Sequence, residues 1–530
     1  MTNSRPPRSR QSRFSRERRS LLLGLAATGL AGWAAPGIAR ATSVPKFATD
    51  PFTLGVASGY PGATSIVLWT RLAPEPLAPG GGMPGTVVPV RWEIAADESF
   101  RKRVRQGTAY AEPDWAHSVH AEIEGLDPAT TYWYRFTAGN ARSVAGRTRT
   151  APAAGSPNAR LRMAVASCQQ YEHGYYAAYR HMLDDDLDLV LHVGDYIYER
   201  SWGSDLVRSH GSPECYTLDD YRARHALYRM DRDLAAAHAM YPWMVTWDDH
   251  EVDNDYADDI SEEDDVPELF LARRAAAYQA YYEHLPLPRR AVPFGASMRL
   301  YAKNAFGSLA QVVTLDERQY RSPQACPRLG RRGANRVKDC PDLWLPERTK
   351  LGAQQERWFE AQLAASTSLW NLTAEGTVIA YIDEQPGPGE QFWTDGWNGY
   401  PAARQRLLES TIRSGATNPV FFSGDIHAFL AADLQREPTN PDSQVVAAEF
   451  TTTSITSQAL PQAQLDSRRP ENPAIQWANS ERRGYLRLDM DRTRLLVDLV
   501  AMESVTRPDA GRTIQASFVV EAGRPGIRPA

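Results

Sequence analysis

Leu187-Asp188-Leu189-Val190-Leu191-His192-Val193-Gly194-Asp195-Tyr196-Ile197-Tyr198-Glu199 decides the fold. The first half is a mostly apolar run of strand length. The second half is a glycine, a carboxylate and, three residues on, a phenol. Such a run suits a strand covered on both faces, as in a sheet flanked by helices. In layered α/β folds, ligands collect beyond the carboxyl ends of these strands. Gly194 lets the chain turn sharply there. Asp195 and Tyr198 can then face one side of a single turn.

The same pattern recurs along the chain. Met163 to Ala166 runs into Ser167-Cys168-Gln169, and Met244 to Trp247 runs into Asp248-Asp249-His250-Glu251. Val420 to Phe422 leads to Gly424-Asp425-Ile426-His427, and Asp253-Asn254-Asp255 follows close behind the second segment. Each residue alone has a plainer reading: Tyr198 as packing, Asp248 to Glu251 as a solvated loop, Cys168 as a buried thiol, His427 as structural. Together they predict one rim carrying Asp, His, Tyr and Cys, hence a di- or trinuclear metal site of the kind that cleaves phosphate esters. Phenolate suits ferric iron, and the Asp195 carboxylate can bridge two metals. Four polar groups in a row after a strand cannot be buried without partners. Asp249 is therefore expected to be a ligand. His250 is expected near the phosphate or leaving-group oxygen, as acid or stabiliser. Asp253, Asn254 and Asp255 offer oxygens for a Ca²⁺-like ion. Asp425 and His427, two apart in an extended segment, point to one side. The Cys168 thiolate favours iron or zinc over calcium or magnesium, so iron is expected in one position and a hard divalent ion in the next.

The 530 residues are 42% hydrophobic and 23% charged, ordinary globular composition with room for two or three domains. The formal charge is −5, but residues 1–41 hold eight Arg and one Glu, so without them the chain is near −12. An acidic chain argues against nucleic acid as a partner, since neutralising phosphates takes Lys and Arg. Residues 1–41 read as a twin-arginine export signal: Arg18-Arg19 precedes the apolar run Leu21 to Ala39, and Ala39-Arg40-Ala41 is an A-x-A cleavage site. A membrane anchor is the alternative, but the run is rich in Gly and Ala and broken by Pro36. The expected location is periplasm, cell surface or exterior, reached through the twin-arginine machinery. Outside the cytoplasm Cys326 and Cys340, in one loop, could pair; Cys215 reads as a buried or free thiol.

Residues 42–150 read as a small all-β domain. Its strands are Ser65 to Thr70, Val87 to Ile94, His117 to Ile123 and Thr131 to Phe136. The stretch Gly125-Leu126-Asp127-Pro128 to Phe136 resembles the corner and following strand of a fibronectin- or Ig-like sandwich. Residues 151–159 read as a linker. Residues 160–525 alternate strands and helices, which predicts a four-layer α/β/β/α sandwich. Helices are expected over Gly174–Leu183, Leu218–Met240, Pro267–Leu285, Gln354–Leu363 and Ala402–Ile412. Further strands are expected over Ala310–Leu315, Thr377–Ile382, Val445–Thr451, Leu486–Met490, Leu495–Val500 and Phe518–Glu521. Residues 321–346 read as an exposed loop.

These residues resemble the PhoD-like alkaline phosphatases of the calcineurin-like metallophosphoesterase superfamily. The resemblance rests on the site segments, including Ala166-Ser167-Cys168-Gln169, Leu191 to Glu199 and Thr246 to Glu251. It also covers Phe52-Thr53-Leu54-Gly55-Val56-Ala57-Ser58-Gly59, Leu68-Trp69-Thr70-Arg71-Leu72 and Thr452-Thr453-Ser454-Ile455. It implies one Fe³⁺ and two Ca²⁺ in a cluster. Cys168, Asp195, Tyr198 and His427 would hold iron, with Asp195 bridging; Asp249, Asp425 and Asn254 would hold calcium. The wider superfamily carries Asn at the place of Asp249 and His at the place of Asp425, and carboxylates there suit calcium. The loop Glu251-Val252-Asp253-Asn254-Asp255 departs from the Glu-Asn-Asn common among relatives. The activity implied is hydrolysis of phosphate monoesters, and of diesters, by an in-line attack that the metals promote. The rival readings are a phosphodiesterase or phospholipase D-like enzyme, and a non-enzymatic metal-binding surface protein. A monomer is expected.

Overall fold

The computed structural model describes residues 44–440 and 442–530. The export signal expected over residues 1–41 lies outside the described residues. The described residues form one compact unit.

Two large sheets organise it. In the first, Arg160–Ala166, Leu189–Val193 and Pro242–Thr246 run parallel side by side, with Leu191 opposite Val165 and Met244. In the second, Ala310–Thr314, Trp370–Ala374, Pro419–Ser423 and Val445–Thr451 run parallel. The pleat sends neighbouring residues to opposite faces. Val420 and Phe422 therefore join the core that contains Met163, Leu191 and Met244, while Phe421 joins Phe359, Leu363, Leu407 and Leu408 on the other side. These last four residues belong to the helices Gly352–Ala364 and Pro401–Ser414. The helices Leu218–Arg229 and Pro267–His284 contribute Tyr221, Tyr278 and Tyr281 to the first core. The result is the expected α/β/β/α layering.

The N-terminal strands also form a two-sheet sandwich, over a core that includes Val56, Ile66, Val90, Tyr134 and Phe136. Val56–Gly59 pairs in parallel with Pro242–Thr246, so one of its sheets continues the larger domain's own sheet. At the predicted corner, Asp127 donates its backbone N–H to Tyr132 Oη at 2.9 Å.

Several expected elements differ. Thr377–Ile382 is not a strand; the strand is Trp370–Ala374. The N–H groups of Ile379 and Ala380 donate to the buried Glu449 carboxylate at 2.9 and 2.7 Å instead of to a neighbouring strand. The helical stretch 218–240 breaks after Arg229, because Asp231 turns to cap a second helix, Arg232–Met240, through the N–H groups of Asp233 and Leu234. The helix after the Cys168 loop is shorter than expected, Ala177–Met182. Of the supposed exposed loop 321–346, only parts face solvent, notably 328–332; Arg321, Gln324, Ala325 and Leu343 are buried, and Cys326 and Cys340 form a disulfide. Cys215 is a buried free thiol.

Candidate metal centre

Gly194 has φ of 112°, and a Cβ there would lie 2.6 Å from Asp248 Cβ. Only glycine allows the ends of Leu189–Val193 and Pro242–Thr246 to cross so closely. At Gly424 a Cβ would sit 2.6 Å from Ser167 Oγ, so this position brings the second sheet against the first. Beyond these turns Cys168, Asp195, Asp425 and His427 have φ of 56°, 55°, 66° and 54°. Left-handed backbone costs non-glycine residues about 1–3 kcal/mol each and clusters where side chains must be aimed.

One ligand atom each from Cys168, Asp195 and His427 lie within 4.8 Å of one another, and so do one each from Asp195, Asp249 and His250. Asp195 is common to both groups, as a bridging carboxylate must be. Tyr198 Oη donates to Asp195 Oδ2 at 2.8 Å and lies 3.2 Å from His427 Nε2. Ser457 Oγ sits 2.8 Å from the same phenol oxygen. His427 Nδ1 is 2.6 Å from the Gln458 carbonyl, which keeps the proton on Nδ1 and leaves the Nε2 lone pair facing the cluster. Asp195 Oδ1 is buried with no hydrogen-bond partner. An orphaned buried carboxylate oxygen is costly unless something else satisfies it. With sulfur, nitrogen and oxygen donors converging on it, the residues fit a cation.

Asp249 is fixed from both sides. Its Oδ1 accepts the His250 N–H at 3.0 Å and its Oδ2 accepts the Asp255 N–H at 2.7 Å. His250 Nδ1 meets Glu199 Oε2 at 2.7 Å, and its ring packs on Tyr198 with centroids 4.2 Å apart. Desolvation and neighbouring Asp248, Asp395 and Asp249 push the Asp425 carboxyl well above the usual carboxylate range. Asp425 follows Gly424, the position packed against Ser167, and belongs to neither of these three-residue groups. Asn254 is held by two glutamates. Its side-chain amide donates to Glu262 Oε1 at 2.8 Å and its backbone N–H to Glu199 Oε1 at 3.2 Å. Asp253 pairs with Arg273 at 3.0 Å, and Asp255 serves the rim through its backbone.

Burial, reinforced by the charge of Asp195, pushes both the Cys168 thiol and the Tyr198 phenol well above their ordinary ranges. A cation in their midst inverts that order and favours thiolate and phenolate. Desolvation, aided by Arg483, lowers the His427 imidazole to about 3, so it is neutral and ready to ligate. His250 goes the other way: burial opposes its charge, but Glu199, Asp249 and Asp195 hold it well above the usual range.

Sequence reasoning missed the supports. Glu251 accepts the N–H groups of Asp195, Tyr196 and Asp248 at 3.2, 2.6 and 2.9 Å, and so buckles two strand ends together. Arg318, fully buried, joins Asp248 at 2.5 Å to Asp395 at 2.8 Å. Arg318 follows the strand Ala310–Thr314 in Asp316-Glu317-Arg318, so the strand-end pattern that marks the candidate ligands also marks it. Asp395, Ser457 and Gln458 come from irregular segments and carry no such signal.

The PhoD-like phosphatase family matches residues 163–499, and the PhoD-like phosphatase N-terminal domain matches residues 37–152. The chain is 45% identical over 500 residues to alkaline phosphatase D of Bacillus subtilis (strain 168), covering 93% of this chain and 84% of that one. Among solved structures, one described as the structure of PhoD superimposes with a TM-score of 0.87 at 45% identity. That match covers 92% of this chain and 93% of the other.

Proposed function

The chain belongs to the PhoD-like phosphatase family, and from that premise we propose that it is an alkaline-phosphatase-type phosphoric ester hydrolase that releases phosphate from monoesters and also cleaves diesters. The observation that carries the site assignment is Asp195, shared by two three-residue ligand groups and left with one unpartnered buried oxygen. Cys168, Asp195, Tyr198 and His427 would hold Fe³⁺. Asp249 and Asp425, with Asn254 at the margin, would hold two Ca²⁺. Bound cations supply charge neutralisation on phosphoryl oxygens and a more acidic attacking water.

The chain's own residues do the rest. Glu251 and Gly194 hold the Asp195 and Asp248 turns in register. Gln458 keeps His427 in one tautomer. Trp202 stacks on the His427 ring at 5.7 Å and 15° and so restrains its orientation. Glu199 holds His250 by Nδ1 and favours its protonated form. Nε2 of His250 can then donate a proton or a hydrogen bond to the departing oxygen.

We further propose export by the twin-arginine route on residues 1–41, action as a monomer outside the cytoplasm, and a division into residues 42–150, 151–159 and 160–525. Among the described residues, no helix is long and apolar enough to cross a membrane. The test is hydrolysis of nitrophenyl phosphate and its bis-ester by iron- and calcium-loaded protein. Turnover of either ester, lost in Asp195→Asn, supports the proposal; no turnover of both esters removes it. The ratio of the two rates decides between monoester and diester preference.

A further inference from the structure

The disulfide loop touches the segments beside the candidate ligands, and two of its contacts lead toward them. Ala334, inside the loop, donates its backbone N–H to Asp255 Oδ2 at 2.9 Å. Asp255 in turn donates its own N–H to Asp249 Oδ2 at 2.7 Å, with its backbone in the left-handed region at φ of 57°. Gln324, just before the loop, donates to the Asp255 carbonyl at 2.5 Å. The next loop residue, Asn335, exchanges bonds with Thr394: its N–H meets Thr394 Oγ1 at 2.8 Å and its carbonyl accepts the Thr394 N–H at 3.0 Å. Thr394 precedes Asp395, whose carboxylate fixes Arg318 against Asp248. The loop is drawn in tightly, since a Cβ at Gly333 would stand 2.7 Å from Glu262 Cγ and 3.1 Å from Asp255 Oδ2.

We propose that the Cys326–Cys340 loop is a strap that positions Asp249. Resting on the reading of Asp249 as a cation ligand, the proposal makes Ala334, Asp255 and Asn335 positioning residues for it. Two features make the strap necessary. Asp255 holds a backbone conformation that an aspartate leaves readily when unrestrained. The tip of the loop has little apolar surface of its own, for Arg328, Leu329, Gly330, Arg331 and Arg332 all face solvent, and apolar packing is confined to its far end, where Val337 and Cys340 meet Leu343 and Phe392 and Arg336–Val337 pairs with Phe392–Trp393. Without a covalent closure, the entropy of a 14-residue separation would work against the contacts at Ala334 and Asn335. Partners that orient a metal ligand typically change metal affinity by about 10–100-fold. The strap acts on one side of the centre only. Cys168, Tyr198 and His427 take their support from Gly194, Ser457 and Gln458, outside its reach.

The experiment compares the full chain with Cys326→Ser/Cys340→Ser and with Ala334→Pro, which keeps the disulfide and removes the N–H donor. Amide hydrogen exchange on metal-free protein reads the strap directly. The Asp255 amide is expected to exchange at least about tenfold faster in both variants, with amides of 189–193 unchanged. Calcium titration reads the consequence: half-saturation rises by about tenfold, iron content stays at the wild-type level, and turnover at saturating calcium stays within about twofold. Unchanged exchange at Asp255 together with unchanged half-saturation in Ala334→Pro overturns the proposal. If the wild-type chain takes up no calcium, the metal assignment fails instead, and the exchange comparison still decides whether the strap exists.

Discussion

Acidification should destabilise this fold through histidines that the site does not use. His192 lies on the strand that delivers Asp195, fully buried, with neither ring nitrogen hydrogen-bonded, beside Trp243 and Tyr196. His225 is equally buried and unpartnered, stacked on His284 with centroids 5.1 Å apart, and the charges of Arg71, Arg229 and Arg224 reach it. Desolvation holds both imidazoles near 3, against 6.5 when exposed. The unfolded chain therefore binds more protons than the folded one between those values, and stability is lost as pH falls below about 6.5. At pH 5 each histidine contributes about 2 kcal/mol of that loss, and two contribute about 4 kcal/mol. A His192→Leu variant keeps the apolar volume and deletes one titration. Thermal or urea unfolding at pH 8 and at pH 5 should show the pH-dependent loss shrinking by about 2 kcal/mol relative to wild type. An equal pH-dependent loss in wild type and His192→Leu would refute the reasoning, because the protons would then be going elsewhere.

Three further outcomes follow from the site. Asp195→Asn should lower ester hydrolysis by orders of magnitude and lose metal at the same time; near-normal iron content and activity would contradict its bridging role. A calcium-selective chelator should inactivate the enzyme while iron stays bound, checked by activity and metal content on one sample. Arg318→Met should leave Asp248 buried without its cation, Asp395 keeping Arg321 alone, and lower stability by about 3–5 kcal/mol, read from the unfolding midpoint.

The candidate site was legible because its residues sit where the local pattern changes. A strand buried on both faces reads as an apolar run, and a glycine followed by Asp, His or Tyr ends it abruptly. Gly194-Asp195 and Gly424-Asp425 both announce themselves this way, and the structure shows why glycine is needed: Gly194 crosses closely beside Asp248 in the first sheet, and Gly424 brings the second sheet against Ser167 of the first. The α/β/β/α layering followed from the same runs. What stayed hidden depends on distant partners. Nothing within 377–382 says that Glu449 will take its backbone donors. Nothing near Met230 except Asp231 marks the break between two helices. The union of the N-terminal sandwich with the main sheet rests on Gly59 meeting Trp243, nearly two hundred residues away. The basic, glycine-rich composition of 321–346 suggested solvent, whereas Arg321 and Gln324 are drawn inward by Asp395.

The most direct measurement is iron and calcium per chain, by elemental analysis, on purified protein whose ester hydrolysis is assayed on the same sample. The account predicts one iron and two calcium ions in the active chain, with iron lost in Cys168→Ser and calcium retained. A chain that turns over phosphate esters at full rate while carrying neither metal would contradict it.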